Sequence, residues 1–150
     1  MVVNFIRWFI SLPISLSLIP IIFYVISWLL KWVFYILNFI MIRGTRYDLP
    51  PIFNFEYGVV DFKYFIFNIC LSSLIASGIC GIIGRIIMPS EWRCRKATFL
   101  YFGLVSVLLS IIGSICFWDS AHWFYSILTT IDLFLMAIIY TVIATMDDNI

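Results

Sequence analysis

Two ionisable side chains lie deep inside apolar runs, and any chemistry in this chain starts with them. Lys31 falls within residues 21–42 and Asp132 within residues 123–145, each among Ile, Leu, Phe, Val and Trp. A charge at the bilayer centre costs about 2.5–3.5 kcal/mol on insertion, so each is expected to face protein or water. At 1.5 Å per residue, Lys31 is about 16 Å and Asp132 about 14 Å from the outer ends of those runs. Opposite charges at one depth make Lys31 and Asp132 a candidate intramembrane pair. On a helix, Tyr24, Ser27, Tyr35 and Asn38 share a face with Lys31 and form a polar stripe. Asn68 and Ser72, with Asp61, line the outer half of the next run and are expected to widen the same cleft outward. Such a cleft would serve ion movement or partner recognition. The plainer alternatives are a structural pair, a lysine that snorkels to the interface, and interhelical hydrogen bonds worth about 0.6 kcal/mol each.

Other reactive groups are sparse. Arg93, Arg95 and Lys96 form a basic juxtamembrane patch, expected to set topology and meet anionic lipid headgroups. They surround Cys94, and cations near a thiol favour its thiolate, so Cys94 is the reactive or acylated cysteine candidate. Cys70, Cys80, Cys94 and Cys116 are scattered, and Cys70 and Cys80 lie about 15 Å apart on one helix, so no disulfide framework is expected. His122, the one histidine, stands three residues after Asp119. Two such groups do not make a metal site, which needs three or four ligands, and Asp119 or Ser120 is expected to cap the helix that follows. No metal and no cofactor is expected. Gly-x-Ser-x-Gly, His-Glu-x-x-His and phosphate-loop patterns are absent from the sequence, so an enzyme is not expected.

The elements that position these groups are membrane spans. Hydrophobic residues make up 64% of the 150 and charged residues 11%, against about 25% charged in a soluble domain. Mean hydropathy is +1.11. With a net charge of +1 there is no field to draw in nucleic acid. The expected fold is all-α: a polytopic, single-domain, four-helix transmembrane bundle with an N-terminal amphipathic interfacial helix. The interfacial helix covers about 3–18, and the spans cover about 21–42, 62–87, 97–117 and 123–145. Residues 5–42 would measure about 57 Å as helix, too short for two spans and long for one. A break at Pro20 resolves this, because proline is tolerated at a helix start. Before it, Asn4, Arg7, Ser11 and Ser15 recur at helical spacing, as in a helix lying in the interface. The alternative is one tilted helix from Phe5 to about Leu30, which moves Lys31 to an interface. The long apolar continuation also argues against a cleaved signal peptide.

Small residues mark the helix-packing faces: Ser73, Ser77, Gly81 and Gly84 on the second span, and Gly103, Ser106, Ser110 and Gly113 on the third. In lipid, close approach of backbones replaces the hydrophobic drive for packing. The short turn 118–122 makes the third and fourth spans antiparallel neighbours. Arg7, Arg85, Arg93, Arg95 and Lys96 on one side outnumber Arg43, Arg46 and Lys63 on the other. Both termini are therefore expected in the cytoplasm, with a bacterial inner (plasma) membrane as the expected location. Beyond the lipid bilayer, the expected partner is another membrane protein or a second copy of the chain. The expected function is non-enzymatic, through helix–helix interaction. In size and layout the chain resembles small inner-membrane immunity and exclusion proteins, which protect cells by binding another membrane protein. That resemblance is architectural and carries no residue across. The competing expectation is a transporter or channel component using the Lys31/Asp132 level, although the internal repeats and broken helices of transporters are not visible.

Overall fold

The first helix, α1 (Val2–Met41), runs unbroken for 40 residues with Pro13 and Pro20 inside it. It comes from a computed structural model that describes residues 1–41 and 65–147; the side chains of residues 34, 35, 37–41, 65 and 67 lie outside that description. The expected division at Pro20 into an interfacial helix and a separate span is thus not observed, and the one-helix alternative is nearer. Proline in a helix interior forfeits one backbone bond and leaves the carbonyl four residues back without its donor. In an apolar medium that carbonyl needs another partner. Pro13 strips the donor from Phe9, and the Tyr101 hydroxyl donates to the Phe9 carbonyl at 3.4 Å. Ser11 and Ser15, expected to face the interface, are fully buried. Their hydroxyls donate back to the carbonyls of Trp8 and Ser11, both at 2.6 Å, which spends the polarity of Ser11 within the helix, while Ser15 also hydrogen-bonds to Tyr140 on a later helix.

A π-helical turn, Phe65–Cys70, leads into α2 (Leu71–Ile87). After a single helical turn, Ser90–Arg93, comes α3 (Lys96–Cys116); a 3-10 turn, Ser120–His122, then opens α4 (Trp123–Thr145). Every element among the described residues is helical, and four helices are long and apolar enough to cross a membrane: Val2–Val33, Asn68–Ile87, Lys96–Cys116 and Ser120–Thr145. This is compatible with an integral membrane protein. The expected loop 43–61 and the start of the second span at 62 lie outside the described residues, and so do Arg43, Arg46, Asp61 and Lys63.

α2 stands at the centre of the bundle, with α1 and α4 against it and α3 against α4. Its glycines set the distances. A Cβ on Gly84 would come within 3.0 Å of Ser15 Oγ and 3.3 Å of Ser15 Cβ on α1. One on Gly81 would come within 3.0 Å of both Ile143 Cβ and the Tyr140 carbonyl oxygen on α4. Such approaches are the packing device expected of a small-residue face. Between α3 and α4, Ser110 donates to the Leu133 carbonyl at 3.0 Å and Gly113 faces Leu133. All four helices meet around Tyr140, which is buried, stacks on Phe102 with ring centroids 5.8 Å apart, and hydrogen-bonds to Ser15. The N-terminal half of α1 is thus part of the core.

Candidate functional site

Asp132 is the one carboxylate buried in the bundle among the described residues. It projects from α4 toward α2, where Ser73 Oγ donates to Oδ2 at 2.6 Å. Its other oxygen, Oδ1, has no hydrogen-bond partner among the described residues. The hydroxyls of Thr129 and Thr130 turn back to the carbonyls of Tyr125 and Ser126 and do not reach it. Ser73, assigned from sequence to packing alone, is therefore also the polar contact of the buried acid.

The group that meets Asp132 is Ser73, not Lys31, which corrects the expected pair. The reason is register. Continuity through Pro20 sets Ser15 beside Gly84, and Ser27 beside Asn68. Lys31 then lies one turn beyond Asn68 on one side and Ser73 more than one turn on the other, about 13 Å apart along the axis at 1.5 Å per residue. Lys31 is exposed, on the stretch of α1 that runs on to Met41. The depth match assumed a span starting at 21, and the helix starts at Val2.

The polar stripe divides. Ser27 donates to Asn68 Oδ1 at 2.5 Å, and Asn68 Nδ2 returns a bond to the Ser27 carbonyl at 3.3 Å. Tyr24 is exposed instead. The side chains of Tyr35 and Asn38 lie outside the described residues. Asn68 and Ser72, expected to line an outer cleft, are both buried at the helix contacts. For Asn68 the interhelical hydrogen bond, offered above as the plainer alternative, is the one observed. The π-helical turn that carries Asn68 has no sequence signature and was not foreseen. Such turns frequently occur at functional sites.

The packing residues sort by closeness. Ser77, Ser106 and Ser110 are buried, with hydroxyls returned to the carbonyls of Leu74, Phe102 and Ser106. Gly81 and Gly84 make backbone-tight contacts, Gly113 a looser one with a flexible Leu133 methyl at 3.2 Å, and Gly103 only an ordinary one with Thr141 at 3.8 Å.

One end of the bundle is basic. Arg7 Nε donates to the Ile87 carbonyl at 3.1 Å, and Arg85 Nη2 to the Asp147 carbonyl at 3.2 Å, which brings the ends of α1, α2 and α4 together beside the start of α3. An aromatic cluster seals this end: Trp8 Nε1 donates to Thr98 Oγ1 at 2.8 Å, and Thr98 in turn donates to the Trp92 carbonyl at 2.6 Å. Nothing in the spacing of Trp8, Thr98 and Trp92 announces this chain. Arg95 lays its guanidinium over the Trp92 ring at 4.3 Å. A hollow of about 460 Å³ opens between Arg93, Cys94, Arg95, Lys96, Phe99, Leu100 and Thr145. Cys94 is exposed at its rim.

At the other end, Asp119 caps the 3-10 turn by accepting from Ala121 N at 2.9 Å, with His122 Nδ1 on its second oxygen at 2.9 Å. The His122 ring and the Ala121 N–H hold the Asp119 carboxyl below the usual carboxylate range. Among the described residues no three His, Cys, Asp or Glu side chains gather as metal ligands. Comparison with protein families, curated proteins and solved structures finds no match to this chain.

Proposed function

We propose that this chain is a small multi-pass membrane protein that acts, without catalysis, by helix–helix interaction with another membrane protein. It would be an interaction, regulatory or immunity/exclusion-type subunit. Its setting would be a bacterial inner membrane, with both termini on the cytoplasmic, basic side. The observation that carries this reading is the asymmetry of α1. At 40 residues it is about 60 Å long, against about 32–35 Å for α3 and α4. Its first half buries Ser11, Leu12 and Ser15 in the bundle and exposes Phe5, Ile6 and Phe9. Its second half presents Ile21, Tyr24, Val25, Trp28, Leu29 and Ile36 outward. Tyr24 and Trp28 follow each other at one-turn spacing, and flat aromatic side chains are common anchors at protein contacts.

The test is isolation of the full chain from its native membranes in mild detergent. A stoichiometric membrane-protein partner, lost on Tyr24→Ala/Trp28→Ala substitution, is the expected result. A lone species that makes liposomes ion-permeable would sink this reading in favour of the transport alternative. That alternative now rests on Asp132 Oδ1 alone, because the register takes Lys31 away from it.

A further inference from the structure

We propose that the groove between α3 and α4 binds one anionic phospholipid, with its phosphate at the basic end and one acyl chain laid between the helices. The basic hollow does not stop at the headgroup level. It shares Phe99 and Leu100 with a second hollow of about 330 Å³ that runs down the outer face of α3 and α4. The lower part is walled by Leu104, Val107, Ile138 and Val142, all exposed and apolar. From Phe99 to Val107 the groove extends about 12 Å along the helix axis, most of the roughly 15 Å depth of one leaflet.

The order of chemistry along this path is what selects the occupant. Arg93, Arg95 and Lys96 are at the mouth and hydrocarbon side chains line the depth. That sequence complements a negatively charged head joined to an apolar tail. A zwitterionic lipid would bring its own cation to the same mouth and lose the advantage. Arg95 is held for this role, since its Nε donates to the Glu91 carbonyl at 3.2 Å and its guanidinium rests on Trp92. A planar fork fixed in this way matches phosphate geometry better than a mobile ammonium. Gly103 forms part of the groove wall. A Cβ there would meet only Thr141 Cγ2, at 3.8 Å, so the absent side chain is not required by helix packing. It leaves room for something to lie against the backbone. None of these residues is on α1, so the site is independent of the partner proposed above.

The experiment uses the full chain, delipidated in neutral detergent and titrated with dioleoyl-phosphatidylglycerol or dioleoyl-phosphatidylcholine, with bound lipid read by native mass spectrometry. One phosphatidylglycerol per chain is expected, bound at least about tenfold more tightly than phosphatidylcholine. Arg95→Gln and Lys96→Gln should each weaken it roughly fivefold, as removal of one cation near an anionic headgroup does. Gly103→Leu should displace the lipid with all three cations intact and helix content unchanged. If that variant fails to fold, a chain-length series of phosphatidylglycerols on the wild-type protein replaces it, and affinity should rise with length. sn-Glycerol 3-phosphate, a head without a tail, should not compete. Equal binding of the two lipids overturns the proposal. So does effective competition by glycerol phosphate, a flat chain-length series, or unchanged binding to Gly103→Leu.

Discussion

The two halves of α1 are similarly apolar and both expose large side chains, but among the described residues only the first also carries fully buried positions. Before Pro20 the buried positions are Ser11, Leu12 and Ser15, with both serines at zero exposure. After it, Trp28, Leu29 and Ile36 are about half exposed. Burial along this helix therefore does not track hydrophobicity. Lipid tails are as apolar as leucine, so association is won by small side chains that admit close backbones and by hydrogen bonds that have no competitor in hydrocarbon. Ser15 supplies both, beside Gly84 and on Tyr140. Among the described residues the second half has the Ser27–Asn68 hydrogen bond, while Trp28, Leu29 and Ile36 are exposed.

The contrast breaks most severely at Tyr140. Tyr140→Ala removes the ring that stacks on Phe102 and holds Ser15, and should cost about 3 kcal/mol, the low end for a buried aromatic truncation. Unfolding in detergent by denaturant titration measures it. A cost below about 1 kcal/mol would mean that α1 is not locked there. On α1 itself, Leu12→Ala should cost about 2 kcal/mol because a cavity remains. Trp28→Ala should fall within about 0.5 kcal/mol, as surface substitutions do. Equal costs would erase the distinction between the halves.

The glycines sharpen the comparison. Gly81→Ala drives a methyl against the Tyr140 carbonyl and Ile143, neither of which can yield, and should cost about 1–3 kcal/mol. Gly103→Ala meets only ordinary contact and should be neutral within about 0.5 kcal/mol. Both look alike in sequence, and the same denaturant titration separates them.

The smallest effect is at the far turn. Folding lowers the Asp119 pKa, so its contribution is complete above the unfolded carboxylate value and is lost as pH falls through the folded one. Protection of the Ala121 amide, its intrinsic exchange rate divided by the observed one, should therefore fall on acidification below about pH 4. Asp119→Asn should remove that pH dependence, and protection that is flat with pH in the native chain would exclude the cap.

What was legible from sequence follows from the same physics. An all-helical chain with four helices long and apolar enough to cross a membrane is a local pattern, readable from hydropathy and run length. The course of α1 was not. Pro20 signals a boundary locally, and Asn4, Arg7, Ser11 and Ser15 mimic a water-facing stripe. The carbonyl of Phe9, left without its helical donor by Pro13, accepts from Tyr101, far along the chain. Once the start of α1 moved to Val2, every depth on it moved too, and the Lys31–Asp132 pair dissolved with it. Asp132 stands out in sequence as a charge in an apolar run, and its contact is Ser73, a residue indistinguishable in sequence from its packing neighbours.

Under the proposed function, the exposed aromatics Tyr24 and Trp28 on the second half of α1 would meet another membrane protein, while Leu12 on the first half stays in the bundle. A photo-crosslinking residue placed in turn at positions 12, 24 and 28 of the full chain in its native membrane tests this directly. Positions 24 and 28 should give adducts to one second membrane protein, and position 12 only intramolecular products. Lipid adducts alone at 24 and 28, or a partner adduct from 12, would contradict the account.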